Sequence, residues 1–216
     1  MDHAVVYGLI PLASYLLGAT PFGLILCRAI KGVDIRRHGS RNIGATNAGR
    51  VCGWPFFAAT FGLDFGKGLA PVLVGGAVVA STAPGLSVDG MRVIYGVCAI
   101  LGHTFPVYVG FQGGKAVATS FGVFVALAPL AAAIAFGVWA VVFAASRYVS
   151  LASMTGAAAA PVAYAVRHRT TLAEHLPVLV FAVAVAALVL LRHRANIGRL
   201  RAGTENRFGA KRADTD

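Results

Sequence analysis

Charge is what this sequence has little of. Charged residues make up 12% of its 216 residues, against roughly 25% in an average soluble domain. Acids are the scarcer sign, with eight Asp plus Glu set against 19 Lys plus Arg. A soluble protein of this size needs far more polar surface to cover one core. With apolar residues at 57%, an ordinary soluble domain is excluded, and one membrane-resident, all-α domain is expected over residues 1–208, with a short polar tail at 209–216. Cysteine is also scarce. Cys27, Cys52 and Cys98 are far apart and form no CxxC pair, so neither a disulfide framework nor a metal site is expected, and no cofactor is implied. No cleavable signal peptide is expected either: the first apolar stretch starts at Ala4, has no basic region before it and runs on too long, and it reads as a first span.

The pI near 10.3 raises the possibility of nucleic acid. The basic residues form no continuous aromatic-studded patch, however. They sit at the ends of apolar runs, where cytoplasmic retention and anionic headgroups account for them. Membrane lipids, and no nucleic acid, are therefore the expected surroundings.

A crossing needs about 20 mostly apolar residues. Such runs lie at Ala4–Ile30, Pro55–Ala80, Val93–Val109 and Leu172–Leu191, with a shorter one at Leu151–Val166. A further stretch, Ala116–Ala145, is interrupted at Ala128–Pro129, and two short spans hinged at Pro129 are expected there. One basic cluster, Arg28 to Arg50, follows the first span, and another, from Arg192 to Arg212, fills the C-terminal tail. Placing both in the cytoplasm requires an even number of crossings between them. The result is a polytopic protein of about seven transmembrane helices, N-terminus outside and C-terminus cytoplasmic. Arg92, Arg167 and Arg169 then lie outside, a minority against the rule.

Polar residues cluster in a few places. Asp64 and Lys67, within an apolar run, have the i,i+3 spacing of a pair on one helix face; a lone intramembrane charge would cost at least a few kcal/mol. Gly39-Ser-Arg-Asn-Ile-Gly-Ala-Thr-Asn-Ala-Gly-Arg50 combines glycines that let backbone N–H groups turn toward an anion, neutral donors at Ser40, Asn42, Thr46 and Asn47, and the planar cation of Arg50. A solvated turn is the plainer alternative for that segment alone. Gly102-His-Thr-Phe-Pro-Val-Tyr-Val-Gly-Phe-Gln-Gly-Gly-Lys115 is no Walker A loop, because Val109 and Ala116 stand where that pattern needs Gly and Ser or Thr. A Gly-Gly-Lys run opening a helix still suits an anion. His103 alone is more often a packed histidine. Ser150 and Ser153, one turn apart, are a spacing commonly used for tight helix packing. His193 and Asn196 share a face, and Glu205, an acid among arginines, is expected in an ion pair.

Four such segments in this order resemble the bacterial acyl-phosphate-dependent glycerol-3-phosphate acyltransferases. The likeness rests on GSRNIGATNAGR at 39–50, GHTFPVYVGFQGGKAVAT at 102–119, SRYVSLAS at 146–153 and HRANIGRLRAGTENRFG at 193–209, with LDFGKG at 63–68 in agreement. Arg41 stands where the family usually has Gly, Gln112 where Lys is usual, and Ala116 replaces a common Gly. The resemblance implies a multi-pass enzyme of the bacterial cytoplasmic (inner) membrane, with its active site on the cytoplasmic side. The implied substrates are acyl phosphate and glycerol 3-phosphate, and the implied products 1-acylglycerol 3-phosphate and phosphate. It implies catalytic parts for Lys115, His193, Asn196, Ser150 and Arg50. Substrate binding falls to Ser40, Asn42, Gly44, Thr46, Asn47, His103, Gly113, Gly114, Ser153 and Glu205. None of the six histidines has Asp five residues later, so the His-x4-Asp mechanism of other acyltransferases is excluded. The proton acceptor is left unassigned: His193 is one candidate and a substrate phosphate oxygen another. Two other classes stay open. A transporter of phosphate-bearing solutes would need polar residues continuing to the outer face, which is nearly all aliphatic. A structural membrane protein gives no reason to gather four polar motifs.

Overall fold

The computed structural model describes residues 4–83 and 85–209; the polar tail expected from 209 onward lies, Gly209 apart, outside them. All regular structure among the described residues is helical. The chain forms two compact units, Met1–Pro129 and Leu130–Asp216.

The first unit begins with a π-helical turn, Val5–Leu9, that runs into α1 (Ile10–Ala19). α2 (Phe22–Lys31) follows after a bend of 44°. Pro21 causes that bend: it has no N–H to donate and it forces Thr20 out of the helical region, to φ −61° and ψ 116°. After a 3₁₀ turn at Ile35–Arg37 come α3 (Ala45–Cys52), α4 (Trp54–Thr82), α5 (Val88–Thr104), a second 3₁₀ turn at Val107–Val109, and α6 (Val117–Leu127). α4 and α6 approach until backbones touch. A Cβ at Gly68 would run into the Thr119 carbonyl, and one at Gly122 into the Phe65 carbonyl. Small residues permit this proximity, which drives helix association where hydrophobicity cannot. Near the other end of the unit, Val6, Val79, Met91 and Tyr95 form a core, and the Tyr95 hydroxyl donates to the Val6 carbonyl at 3.1 Å.

The second unit holds α7 (Pro129–Ser146), α8 (Val149–Arg167), α9 (Leu176–Arg192) and α10 (Arg194–Arg201). α8 lies against α7 where Gly156 meets Ala135 and Trp139. α9 and α10 are bent by 57° about His193. Val141, Val162 and Leu191 are exposed, as side chains facing hydrocarbon are.

Among the described residues, four helical segments are long and apolar enough to cross a membrane, Trp54–Thr82, Val88–Val109, Pro129–Ser146 and Val149–Arg167, or up to six if each bent pair counts as one. The chain breaks at Ala128, and α7 opens on Pro129, where the sequence placed a hinge. The remaining crossing of the sequence count falls on α6. Its 11 residues reach about 16 Å at 1.5 Å each, roughly half of a 30 Å hydrocarbon core.

Candidate active site

In the first unit, the connection after α2 is tied down from within. α2 stops at Gly32, whose φ of 68° suits only glycine well and whose N–H caps the Arg28 carbonyl at 3.0 Å. Asp34 then accepts from the Arg36 backbone at 3.0 Å and from its guanidinium at 3.0 and 2.7 Å. The Arg36 hydrogen bonds hold the Asp34 carboxyl well below the usual carboxylate range, against the opposing effect of burial. Ile35 anchors the turn among Leu24, Cys27, Ile43, Ala48 and Phe56.

Asn47 organises the loop that follows. It is buried, and its Nδ2 donates to the carbonyls of Ile35 at 2.9 Å, His38 at 3.2 Å and Asn42 at 2.9 Å. Its Oδ1 accepts from the Ser40 N–H at 2.8 Å. Asn42 Oδ1 accepts the Gly44 N–H at 2.9 Å, and the Gly44 carbonyl starts α3 by accepting from Asn47 and Ala48. Asn47 and Asn42 are thus committed to shaping the loop. Ser40 and Arg50 are exposed and Thr46 is half-buried. Thr46 and Arg50, four apart in α3, share a face, and the first N–H groups of α3 have no partner within the helix. Donors and positive charge of this kind suit a phosphate.

The second loop folds back over the end of α5. Gly114 N–H donates to the His103 carbonyl at 3.1 Å. A Cβ on Gly114 would enter the His103 ring, and one on Gly113 would meet the carbonyls of His103 and Thr104. Lys115 is half-buried, and Ala116, at φ 56°, caps α6. His103 is 4% exposed and lies beneath the loop. The Asp64–Lys67 pair forms at 2.7 Å.

In the second unit, Glu205 gathers the predicted residues. Its Oε1 accepts from Ser150 Oγ at 2.8 Å and Asn196 Nδ2 at 2.6 Å, and its Oε2 from Arg199 Nε at 2.7 Å. Burial pushes the Glu205 pKa up, but the bonds from Asn196, Ser150 and Arg199 outweigh it and leave the carboxyl below its ordinary value. The tail is fastened again beyond Glu205: Arg207 Nε donates to the Tyr148 hydroxyl at 3.0 Å, and the Phe208 N–H to the Arg147 carbonyl at 2.9 Å. His193 is buried at the bend, with Nδ1 2.7 Å from the Val189 carbonyl. A carbonyl only accepts, so Nδ1 carries a hydrogen, and in the neutral tautomer this leaves the lone pair on Nε2. Ser153 bonds back to the Val149 carbonyl at 2.7 Å and receives Trp139 Nε1 at 3.4 Å, which makes it a packing residue between α8 and α7. Sequence reasoning missed Arg199 and the Tyr148–Arg207 contact. Both lie within the segments singled out, and only the folded-back tail reveals their partners.

With the two sets of residues in place, similarity to known proteins decides the family. The family model for glycerol-3-phosphate acyltransferase matches residues 8–203. The chain belongs to the glycerol-3-phosphate acyltransferase family. A glycerol-3-phosphate acyltransferase of Thermosynechococcus vestitus is 43% identical over 213 residues, 97% of this chain and 99% of that one. One of Geobacter sulfurreducens is 43% identical over 198 residues, covering 91% and 95%. Among solved structures, the acyltransferase chain resembles PlsY (YgiH), an integral membrane glycerol 3-phosphate acyltransferase, in its glycerol 3-phosphate form. The TM-score is 0.82 with 40% identity, over 93% of this chain and 94% of that one. The lysophosphatidic acid form of PlsY gives a TM-score of 0.79 with 39% identity over the same shares. This family member is accordingly an all-helical integral membrane protein.

Proposed function

We propose that this chain transfers a fatty acyl group from acyl phosphate to the 1-hydroxyl of glycerol 3-phosphate, giving 1-acylglycerol 3-phosphate and inorganic phosphate. Family membership supports the acceptor. The observation that carries the reading is the first loop: Asn47 and Asn42 lock its backbone from inside, and Ser40, Thr46 and Arg50 of that loop, with the N-terminus of α3, have the donor and cationic chemistry that a phosphate takes. Lys115, set on the Gly113–Gly114 turn, offers a second, cationic cradle, as two phosphate-bearing substrates require.

The acyl donor arrives activated, so the protein's task is positioning and charge stabilisation. The acceptor hydroxyl oxygen bonds to the acyl carbonyl carbon, the carbon–oxygen bond to phosphate breaks, and phosphate departs with that electron pair. Lys115 and Arg50 stabilise the charge that develops. Ser150 and Asn196, fixed by Glu205, orient a substrate. The hydroxyl proton passes to His193 Nε2 or to a phosphate oxygen, whose second pKa near 6 suits the task. Asn47, Asn42 and Glu205 act through the residues they hold, and Ser153 through helix packing.

For placement, we propose about seven crossings of the bacterial inner membrane, N-terminus outside, with these loops on the cytoplasmic side. The two basic clusters support that orientation. Purified protein given acyl phosphate and glycerol 3-phosphate should release phosphate, and replacing the donor with acyl-CoA should stop acylation. Turnover undiminished by Lys115→Ala would overturn the site assignment. Near-normal turnover by His193→Gln would leave the phosphate oxygen as base.

A further inference from the structure

Three polar side chains buried in the first unit have no part in the chemistry above. Asp64, Lys67 and His103 are 2%, 3% and 4% exposed. Lys67 Nζ lies 2.7 Å from Asp64 Oδ1 and donates to the Thr20 carbonyl at 2.9 Å, at the break between α1 and α2. Asp64 Oδ1 in turn stands 3.7 Å from His103 Nδ1. The same imidazole occupies the space that a Gly114 side chain would need, and the His103 carbonyl accepts the Gly114 N–H at 3.1 Å. A continuous chain of contacts therefore runs from the α1–α2 break, across α4, to the underside of the Gly113–Lys115 loop.

Stability alone is a poor reason for this arrangement. Each buried ion costs several kcal/mol in desolvation, and replacing a buried pair with apolar residues of similar volume is often neutral or stabilising. A buried pair is better explained by geometry it enforces. Here that geometry is the height of a loop whose two glycines rest directly on the end of α5, with Lys115 as the next residue.

We propose that Asp64, Lys67 and His103 form a positioning group for the Gly113–Lys115 loop. Lys67 and Asp64 brace the imidazole from behind, and the ring fixes where Gly114, and with it Lys115, stands. The inference rests on the reading of this loop as a phosphate cradle. None of the three residues touches substrate; they act by holding Lys115, and a displacement of about 1 Å at such a group costs on the order of 100-fold in rate.

The test uses the full-length protein in detergent or proteoliposomes, with Asp64→Asn/Lys67→Met. Removing both charges together avoids leaving one buried and unpaired. Two readouts are taken on folded protein: kcat and KM for each substrate, and hydrogen exchange of the amides at 113–116. The expected result is kcat lowered about tenfold or more, KM changed much less, and exchange at 113–116 accelerated while the α4 interior stays protected. Lys67→Arg, which keeps the cation beside Asp64, should retain most of the kcat that the double variant loses. Parental kcat and parental exchange in the double variant would overturn the proposal. If the double variant does not fold, His103→Gln decides by the same two readouts. The underlying reading fails separately: Lys115→Ala with undiminished turnover removes the cradle itself, whatever the exchange data show.

Discussion

Replacing Glu205 should uncouple the second unit's polar residues from one another. Its carboxylate is 6% exposed and takes three donors, two from side chains that are themselves buried, Ser150 and Asn196. The third, Arg199, is 38% exposed, so its ion pair contributes no more than about 1 kcal/mol. Glu205→Gln keeps the shape and one acceptor oxygen but turns charge-assisted bonds into neutral ones, a loss of about 1 kcal/mol for each buried donor. The total is roughly 2 kcal/mol. Glu205→Ala also leaves Ser150 and Asn196 unsatisfied, which raises the loss to about 3–4 kcal/mol. Thermal unfolding in detergent measures this, and phosphate release by the folded fraction should fall because Ser150 and Asn196 lose their common anchor. The sign of the pH effect follows from the depressed Glu205 pKa. The carboxylate's stabilisation is complete above the ordinary glutamate value of about 4.3 and is lost as pH falls through the lower folded value. The gap between parent and Glu205→Gln should therefore be constant near neutrality and close in acid. A Glu205→Gln protein within about 0.5 kcal/mol of the parent at neutral pH, or a gap that widens in acid, would refute the reasoning.

Other substitutions separate backbone demands from chemistry. Arg41 is exposed and held at φ 58°. Arg41→Gly removes about 1–2 kcal/mol of left-handed strain and gives back about 0.4–1 kcal/mol in unfolded-chain entropy, so a stabilisation of about 0.5–1 kcal/mol should appear in thermal unfolding. Ala116→Gly gains similarly at φ 56° but loses a fully buried methyl group worth about 0.8 kcal/mol, and unfolding should move little. Gly114→Ala drives a methyl group into the His103 ring, costing about 1–3 kcal/mol and most of the turnover. Gly110→Ala meets no neighbouring atom but must hold φ 68°, so it should cost only about 1 kcal/mol and keep its rate.

What the sequence could show depended on whether a feature was periodic or tertiary. The Asp64–Lys67 pair was legible because helix geometry alone puts i and i+3 on one face, and the break before α7 because Pro129 interrupts an apolar run. The bend at Pro21 was not. Ala4–Ile30 is continuously apolar, and hydropathy says nothing about direction. Which polar residues of a loop turn inward was equally hidden. Ser40, Asn42, Thr46 and Asn47 are all donors by composition, and only the carbonyls converging from Ile35, His38 and Asn42 distinguish Asn47 as the residue that builds the loop. Glu205 was expected in an ion pair, and the Arg199 contact is there. That it also gathers Ser150 and Asn196 required the tail to fold back on α8, a tertiary event with no local signature.

The departures from the family pattern sharpen what its glycines are for. Arg41 and Ala116, which stand where glycine is usual or common, both hold positive φ, 58° and 56°. The glycine there answers a backbone requirement, and a larger residue meets the same requirement at a cost of about 1 kcal/mol. Neither departure therefore removes a ligand-facing group. Gln112 differs in kind. It is exposed, it has no unusual backbone angle, and it replaces a cation with a neutral amide. Of the three, it alone removes a cation, whereas Arg41 adds one to the first loop, so in the proposed second cradle the positive charge falls to Lys115. On the proposed role of Lys115, any looseness in how it is held bears directly on turnover, so the buried group beneath Gly114 is expected to matter more in this chain than it would beside a second lysine.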